Sequence, residues 1–466
     1  MTMDLVSVQD VRKALERISP YTHRTPLLTS QSIDEIATSS IFPDDSDDHD
    51  PSSASSSSSP SKVKLRIAFK AEHLQRVGAF KYRGATNAVL VHLRQAETEF
   101  LEKGGKKEDW DPSRLWVVTH SSGNHAAALA CAARTVGARA AVVMPENAPL
   151  TKQRAVAGYG AEITFCKPIQ KERESTAERV MAELRSKGFL VKFVHPYDEP
   201  LVIAGQGTMA LEMLEQVGSL QSKGFCSESV RSVEPSSAGS TRGTKRAVPL
   251  GPKAQGIWQE RGEDEPALDI LIAPVGGGGM LSGVSTAIKG TDERIVVIGA
   301  EPEAVDDAAR SFTTNLLQPS VLPALTVCDG LLTSLSARTL SHIQERVDTI
   351  STVSEVNILR ALRLHWERQK QLVEPSAAVG LATLLQAENG LSRGRGGDSG
   401  GTVGTEEGKR FWGLRRWIEE IVRRKLDHRQ LSHGSEGDVE IRIGIIWSGG
   451  NLEVEKIVPK LEALGV

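Results

Sequence analysis

At 466 residues the chain is too long for one ordinary compact domain and calls for two or three. With 39% hydrophobic and 25% charged residues it is globular with polar padding, while 5% aromatics and a net charge of −3 give no pull toward nucleic acid or an anionic membrane. Cys131, Cys166, Cys226 and Cys328 form no CxxC pair and no long apolar run exists, which argues against a disulfide framework, a cysteine zinc site and a membrane span and sets the expected location as the cytoplasm.

The chain opens on an amphipathic helix with Val8, Val11, Leu15 and Ile18 on one face. Residues 43–62 pass from an acidic patch into polyserine and cannot bury anything; residues 219–266 and 390–438 likewise lack a sustained period. All three are expected to be disordered or surface insertions, tolerated because loop-closure entropy grows slowly with length. Within the last, FWGLRRWIEEIVRRKL has helical spacing, and a short packed or floppy surface helix is favoured over a partner-binding one.

Between the insertions, strand and helix alternate. The spacing predicts strands over 63–71, 115–119, 138–144, 162–166, 190–194, 268–275, 294–300 and 441–447. It predicts helices over 84–95, 125–136, 150–158, 172–187, 203–217, 280–289, 355–370 and 376–387. Such alternation implies βαβ units and parallel sheets, an α/β fold.

Ligands in open α/β sheets collect at the carboxyl ends of strands, and three loops there carry chemistry. Gly276, Gly277, Gly278 and Gly279 separate an apolar strand from a helix, where bare backbone and a helix N-terminus suit a phosphate. The run fits neither a P-loop nor a GxGxxG frame. Ser121, Ser122, Asn124 and His125 form a second small polar loop before a helix and suit a carboxylate; an N-cap cluster is the plainer alternative. Ser448 ends a third strand and is followed by two glycines, offering one hydroxyl. Lys81, flanked by Phe80 and Tyr82 with Gly84 and Ala85 beside it, reads as an amine drawn inward, where desolvation lowers its pKa and makes it nucleophilic. A buried amine, a phosphate cradle, a carboxylate loop and a lone hydroxyl are what a pyridoxal-phosphate enzyme must assemble.

In order and spacing, QRVGAFKYRGA, SSGNHAAAL, GGGGMLSG, EPEAVDDAARSF, VEPSAAVG and SGGN resemble the fold-type II (tryptophan synthase β-like) pyridoxal-phosphate enzymes, most closely the serine/threonine dehydratase, serine racemase and threo-3-hydroxyaspartate ammonia-lyase group. The resemblance implies two α/β domains with mainly parallel sheets: a large cofactor-binding one from 1–105 and 196–466, and a small one from 106–195. It implies that Lys81 holds pyridoxal 5'-phosphate covalently and acts as base, that Phe80 packs on the ring, and that Asn124 bonds its 3′-oxygen. Gly276 to Gly279 and Met280 would hold the phosphate, and Ser448 would face the ring nitrogen. Ser121, Ser122 and His125 would line the substrate carboxylate site, with Ser122 as the acid of a racemising member. Arg173 would stand near the site mouth, able to meet a second substrate carboxylate, although an exposed arginine at a helix start is the blander reading. Glu301, the Val305 carbonyl and Asp307 would hold Mg²⁺, Mn²⁺ or Ca²⁺ against the alternative of a solvated acidic loop.

The implied activity is β-elimination from a β-hydroxy amino acid, with racemisation as the same-class rival and a homodimer as the assembly. With only a short stretch beyond Ser448, no allosteric amino-acid-binding domain is expected. Two other classes compete: a nicotinamide oxidoreductase using Glu301 as a ribose-binding acid, and a non-catalytic scaffold using the basic 411–425 segment.

Overall fold

The computed structural model describes residues 4–43, 63–121, 123–218, 258, 265–386, 413–431 and 438–463. Most of the first two insertions, Cys226 and Ser122 lie outside them. The strands are β1 (Leu27–Leu28), β2 (Val63–Ala71), β3 (Leu115–His120), β4 (Arg139–Pro145), β5 (Glu162–Cys166), β6 (Leu190–Phe193), β7 (Ile270–Pro274), β8 (Val296–Pro302), β9 (Thr349–Val353) and β10 (Val439–Trp447). They form a six-stranded sheet in the order β1-β2-β10-β7-β8-β9 and a four-stranded sheet in the order β5-β4-β3-β6. Every pairing is parallel except β1 with β2.

The larger sheet is covered on both faces, which is why its central strands read as near-continuous apolar runs. Ile270 and Ile272 of β7 join one core cluster with helices Gln31–Ile41, Glu355–Glu367 and Pro375–Leu385. Leu271 and Ala273 face the other way, onto helices Val8–Ile18, Pro200–Gln216, Gly279–Lys289 and Ala337–Arg346. The smaller sheet packs Leu115 and Val117 against helices Lys81–Glu102 and Asn124–Thr135, and Trp116 and Val118 toward helix Gln170–Ser186.

Two expectations change. The helix expected over 84–95 runs from Lys81 to Glu102, because Gly84 is a packing residue and not a breaker. A Cβ there would stand 2.7 Å from the Val202 carbonyl and closer still to Gln206, so glycine lets two helices touch. Within the third insertion, expected to be disordered or surface, helix Leu414–Leu431 packs against β10 as a core element, which is the packed form of the helix weighed there. Leu414, Trp417, Ile418 and Ile421 are buried in it, each burial worth about 1.5–3 kcal/mol. The partner-binding role weighed for that segment loses its apolar face.

Candidate active site

The loops that leave β2 and β10 meet, and backbone bonds fasten them to each other and to Glu374. Phe80 N–H donates to the Ser448 carbonyl at 3.0 Å, Gly450 N–H to Gly78 at 3.0 Å, and Glu374 N–H to Gly449 at 3.0 Å. Lys81, first residue of its helix, is thereby held beside the exit of β10. Its Nζ donates to the Pro196 carbonyl at 2.9 Å and lies 5.2 Å from the centre of the Phe80 ring. Burial pulls the amine down to about 8, partly offset by the Glu374 carboxylate.

The glycine loop lies opposite. Gly278 has φ +82° and is the N-cap of helix Gly279–Lys289, with no side chain bonded to the helix start. Cβ atoms at Gly277 and Gly279 would stand 2.6 and 2.7 Å from Tyr197, and one at Gly278 2.7 Å from Leu335. Close packing therefore accounts for part of the glycine run, and the uncapped N–H groups of the first turn are free for an anion. Met280 contributes only backbone to this cradle, since its side chain is buried in the core.

Ser448 is buried at the end of β10, and its Oγ has no hydrogen-bond partner. Asn124 opens its helix, donates from Nδ2 to both Glu374 oxygens at 3.3 and 3.4 Å, and accepts from Asn451 at 3.0 Å. Ser121 is half-buried, with Oγ 3.4 Å from the Gly123 N–H. His125 is buried and burial holds its pKa well below the ordinary value, so it is neutral. Its Nε2 donates to the Val194 carbonyl at 3.4 Å, which leaves Nδ1 an acceptor. The imidazole thus has no N–H to offer a carboxylate, while the backbone N–H groups of Asn124 and His125 are free to do so, in keeping with the main-chain donors expected of this loop. Ser122 lies outside the described residues.

Arg173 is half-buried, with a buried Nε lacking a partner, and its charge acts on His120 and Tyr197. Its charge also acts on the Cys166 thiol. At the end of β8, Glu301 accepts the Ala308 and Ala309 N–H groups at 2.9 and 2.8 Å. Asp307 is buried with Oδ2 unpartnered, and Val305 is buried in the turn between them. Burial raises both acids, Asp307 to about 6. Among the described residues no three His, Cys, Asp or Glu side chains gather as a metal cluster, so any cation here depends on two carboxylates and a carbonyl.

Residues 54–227 and 251–396 match the family model described as pyridoxal-phosphate dependent enzyme. The chain belongs to that family. Human serine racemase is 35% identical over 380 residues, covering 82% of this chain and 85% of the relative. The beta-hydroxyaspartate dehydratase of Paracoccus denitrificans (strain Pd 1222) is 35% identical over 384 residues, covering 82% and 91%. Among solved structures, maize serine racemase superposes with a TM-score of 0.64 at 28% identity, covering 99% of this chain and 98% of that one. The protein is thus a pyridoxal-phosphate enzyme of fold type II, and the α/β reading holds. The nicotinamide and scaffold readings fall away with it.

The residues present fit the cofactor: a desolvated amine, an uncapped glycine-led helix start and a buried unpartnered hydroxyl. Sequence reasoning missed Glu374, Asn451, Pro196 and Tyr197. Glu374 and Asn451 stood within quoted motifs, VEPSAAVG and SGGN, and a buried acid beside the invoked amide was the available signal; HPYDEP carried none.

Proposed function

We propose that the protein is an ammonia-lyase (dehydratase) converting L-serine, L-threonine or threo-3-hydroxyaspartate to a 2-oxo acid and ammonia. The observation that carries this is the Ser448 hydroxyl, buried without a partner on the strand exit that fastens Lys81. An uncharged partner leaves the ring nitrogen unprotonated and favours prompt loss of a β-substituent over a long-lived carbanion. When bound, pyridoxal phosphate supplies the electron sink for the pair left as the Cα proton departs.

Lys81 Nζ would anchor the cofactor and, when not so engaged, would take the Cα proton; its lowered pKa keeps a usable neutral fraction near neutrality. The N–H groups of Gly276 to Gly279 and Met280 hold the phosphate. Asn124 and His125 N–H with the Ser121 hydroxyl bind the substrate carboxylate, and Phe80 packs on the ring. Tyr197 packs on Gly277 and Gly279 and excludes water from the glycine loop. The β-hydroxyl would leave as water, the proton it carries off being balanced by the Cα proton taken by Lys81, and a second water would restore the oxygen as ammonia is lost.

Racemisation is the second reading, favoured by Ser122 beside Ser121 and by the serine racemases among the relatives. Arg173 would pair with the second carboxylate of hydroxyaspartate. Glu301, the Val305 carbonyl and Asp307 would hold Mg²⁺, Mn²⁺ or Ca²⁺, a role supported by the buried, unpartnered Asp307 Oδ2. The working form under this reading is a cytoplasmic homodimer acting on a small amino acid, without nucleic acid or membrane partners. No helix among the described residues is long and apolar enough to cross a membrane.

The test is 2-oxo acid release and enantiomer exchange with L-serine, D-serine, L-threonine and threo-3-hydroxyaspartate. Release from at least one L-substrate is expected, and Arg173→Ala should raise KM for the diacid by about tenfold while sparing L-serine. Enantiomer exchange without release from any substrate would replace the lyase by the racemase.

A further inference from the structure

Glu374 sits at the centre of the site although no role has been given to it. It is the N-cap residue before helix Pro375–Leu385 and only 3% exposed. Its carboxylate accepts both Asn124 Nδ2 and, at 3.2 Å, the Asn451 N–H. A Cβ on Gly449 would stand 2.9 Å from Oε1, so the strand exit carries glycine where the acid enters.

Asn451 decides which way Asn124 faces. Its Nδ2 donates to the Val77 carbonyl at 2.7 Å, a group that can only accept, and its other hydrogen meets Asn124 Oδ1 at 3.0 Å. With Oδ1 thus assigned, Asn124 Nδ2 must point at Glu374. A bifurcated bond to both carboxylate oxygens takes one of its hydrogens and so would leave the second for a ligand oxygen. Val77 and Gly78 hold φ of +59° and +70°, so the same relay clamps the left-handed turn that leads into Lys81. Four loops are joined: the turn before Lys81, the residue pair after β10, the head of helix Asn124–Thr135, and Glu374.

We propose that Glu374 is a positioning residue for the cofactor, fixing through Asn124 the amide that meets the ring oxygen. This rests on the roles given to Lys81 and Asn124 above. The charged and titratable groups facing Glu374 are Asp329, its ion-pair partner Lys152, the Cys328 thiol and Lys81. Burial raises Glu374 to about 7, with Asp329 adding and the Asn124 bond, Lys152 and the Asn451 N–H opposing. Its charge therefore changes between pH 6 and pH 8.

The experiment titrates apoprotein with pyridoxal phosphate at both pH values, comparing wild type with Glu374→Gln. At pH 6 the acid is itself neutral, so the variant should bind within about threefold of wild type; at pH 8, where the anion is lost only in the variant, binding should weaken about tenfold. Equal weakening at both pH values, or none at either, overturns the proposal, because a merely structural role has no such pH dependence. If Glu374→Gln does not fold, Asn451→Ala tests the relay from its other end. Affinity should then fall about tenfold at both pH values, and unchanged affinity overturns the proposal. A wild type that binds no cofactor sinks the proposed function itself, an outcome distinct from a binding wild type with an indifferent variant.

Discussion

Lys70, near the end of β2, and Lys81, at the head of its helix, are both withdrawn from water, and burial pulls each amine down to about 8. Their partners differ. Lys70 Nζ donates to Glu212 at 2.8 Å, the Thr25 carbonyl at 2.8 Å and Gln216 at 2.9 Å, satisfying all three of its hydrogens. Arg83, two residues past Lys81, is bound by both Glu72 and Glu212, so two cations and two anions close a buried neutral quartet. Lys81 meets a carbonyl and an aromatic ring instead, and Glu374 acts on it only through space. Charge that is saturated by its neighbours builds scaffold, and charge left wanting builds a ligand site. The lowered pKa alone does not separate the two lysines; hydrogen-bond saturation does.

That contrast can be broken by removing each charge in turn. Lys81→Ala should abolish covalent cofactor attachment and cut turnover by about 10³-fold or more, while the variant apoprotein should melt at least as high as wild-type apoprotein, since a buried amine is removed. Arg83→Ala should do the reverse: it strands Glu72 and Glu212 in the core and should cost about 3–5 kcal/mol in urea unfolding. A mild Arg83→Ala would mean that the quartet is not what holds β2 to helices Lys81–Glu102 and Pro200–Gln216.

Asp307 extends the contrast to an acid. A divalent cation at about 100 times its Kd should stabilise the wild type by about 2.7 kcal/mol, and Asp307→Asn should lose that increment while matching wild type in EDTA. A smaller effect sharpens the lysine comparison. Only the neutral amine attacks the cofactor aldehyde, so with Lys81 near 8 the capture rate of apoprotein should rise about fivefold from pH 7 to pH 8 and less than about twofold from pH 8 to pH 9. An ordinary lysine would keep gaining about tenfold per unit up to about pH 10.

Much of this was legible in the chain because burial on both faces writes itself as apolar runs, as in ILIAP of β7 and IRIGIIW of β10. The glycine run, Lys81, Asn124 and Ser448 were legible for a local reason, each carrying its chemistry next to small neighbours. Helix Gln31–Ile41 was not, since QSIDEIATSSI is rich in Ser, Thr and Ile and is held by Ile33, Ala37 and Ile41 packing in the core, a tertiary cause. Strand β9, TISTV, alternates weakly at the sheet edge, and helix Asp307–Thr314 is too short to show a period. Glu374 and Asn451 escaped because their meaning comes from contacts with Asn124, far away in sequence.

The most direct measurement is borohydride reduction of the holoprotein followed by peptide mapping. The pyridoxyl group is expected on the peptide containing Lys81, with Lys70 unmodified. A label on any other lysine, or none at all, contradicts the assignment of the site.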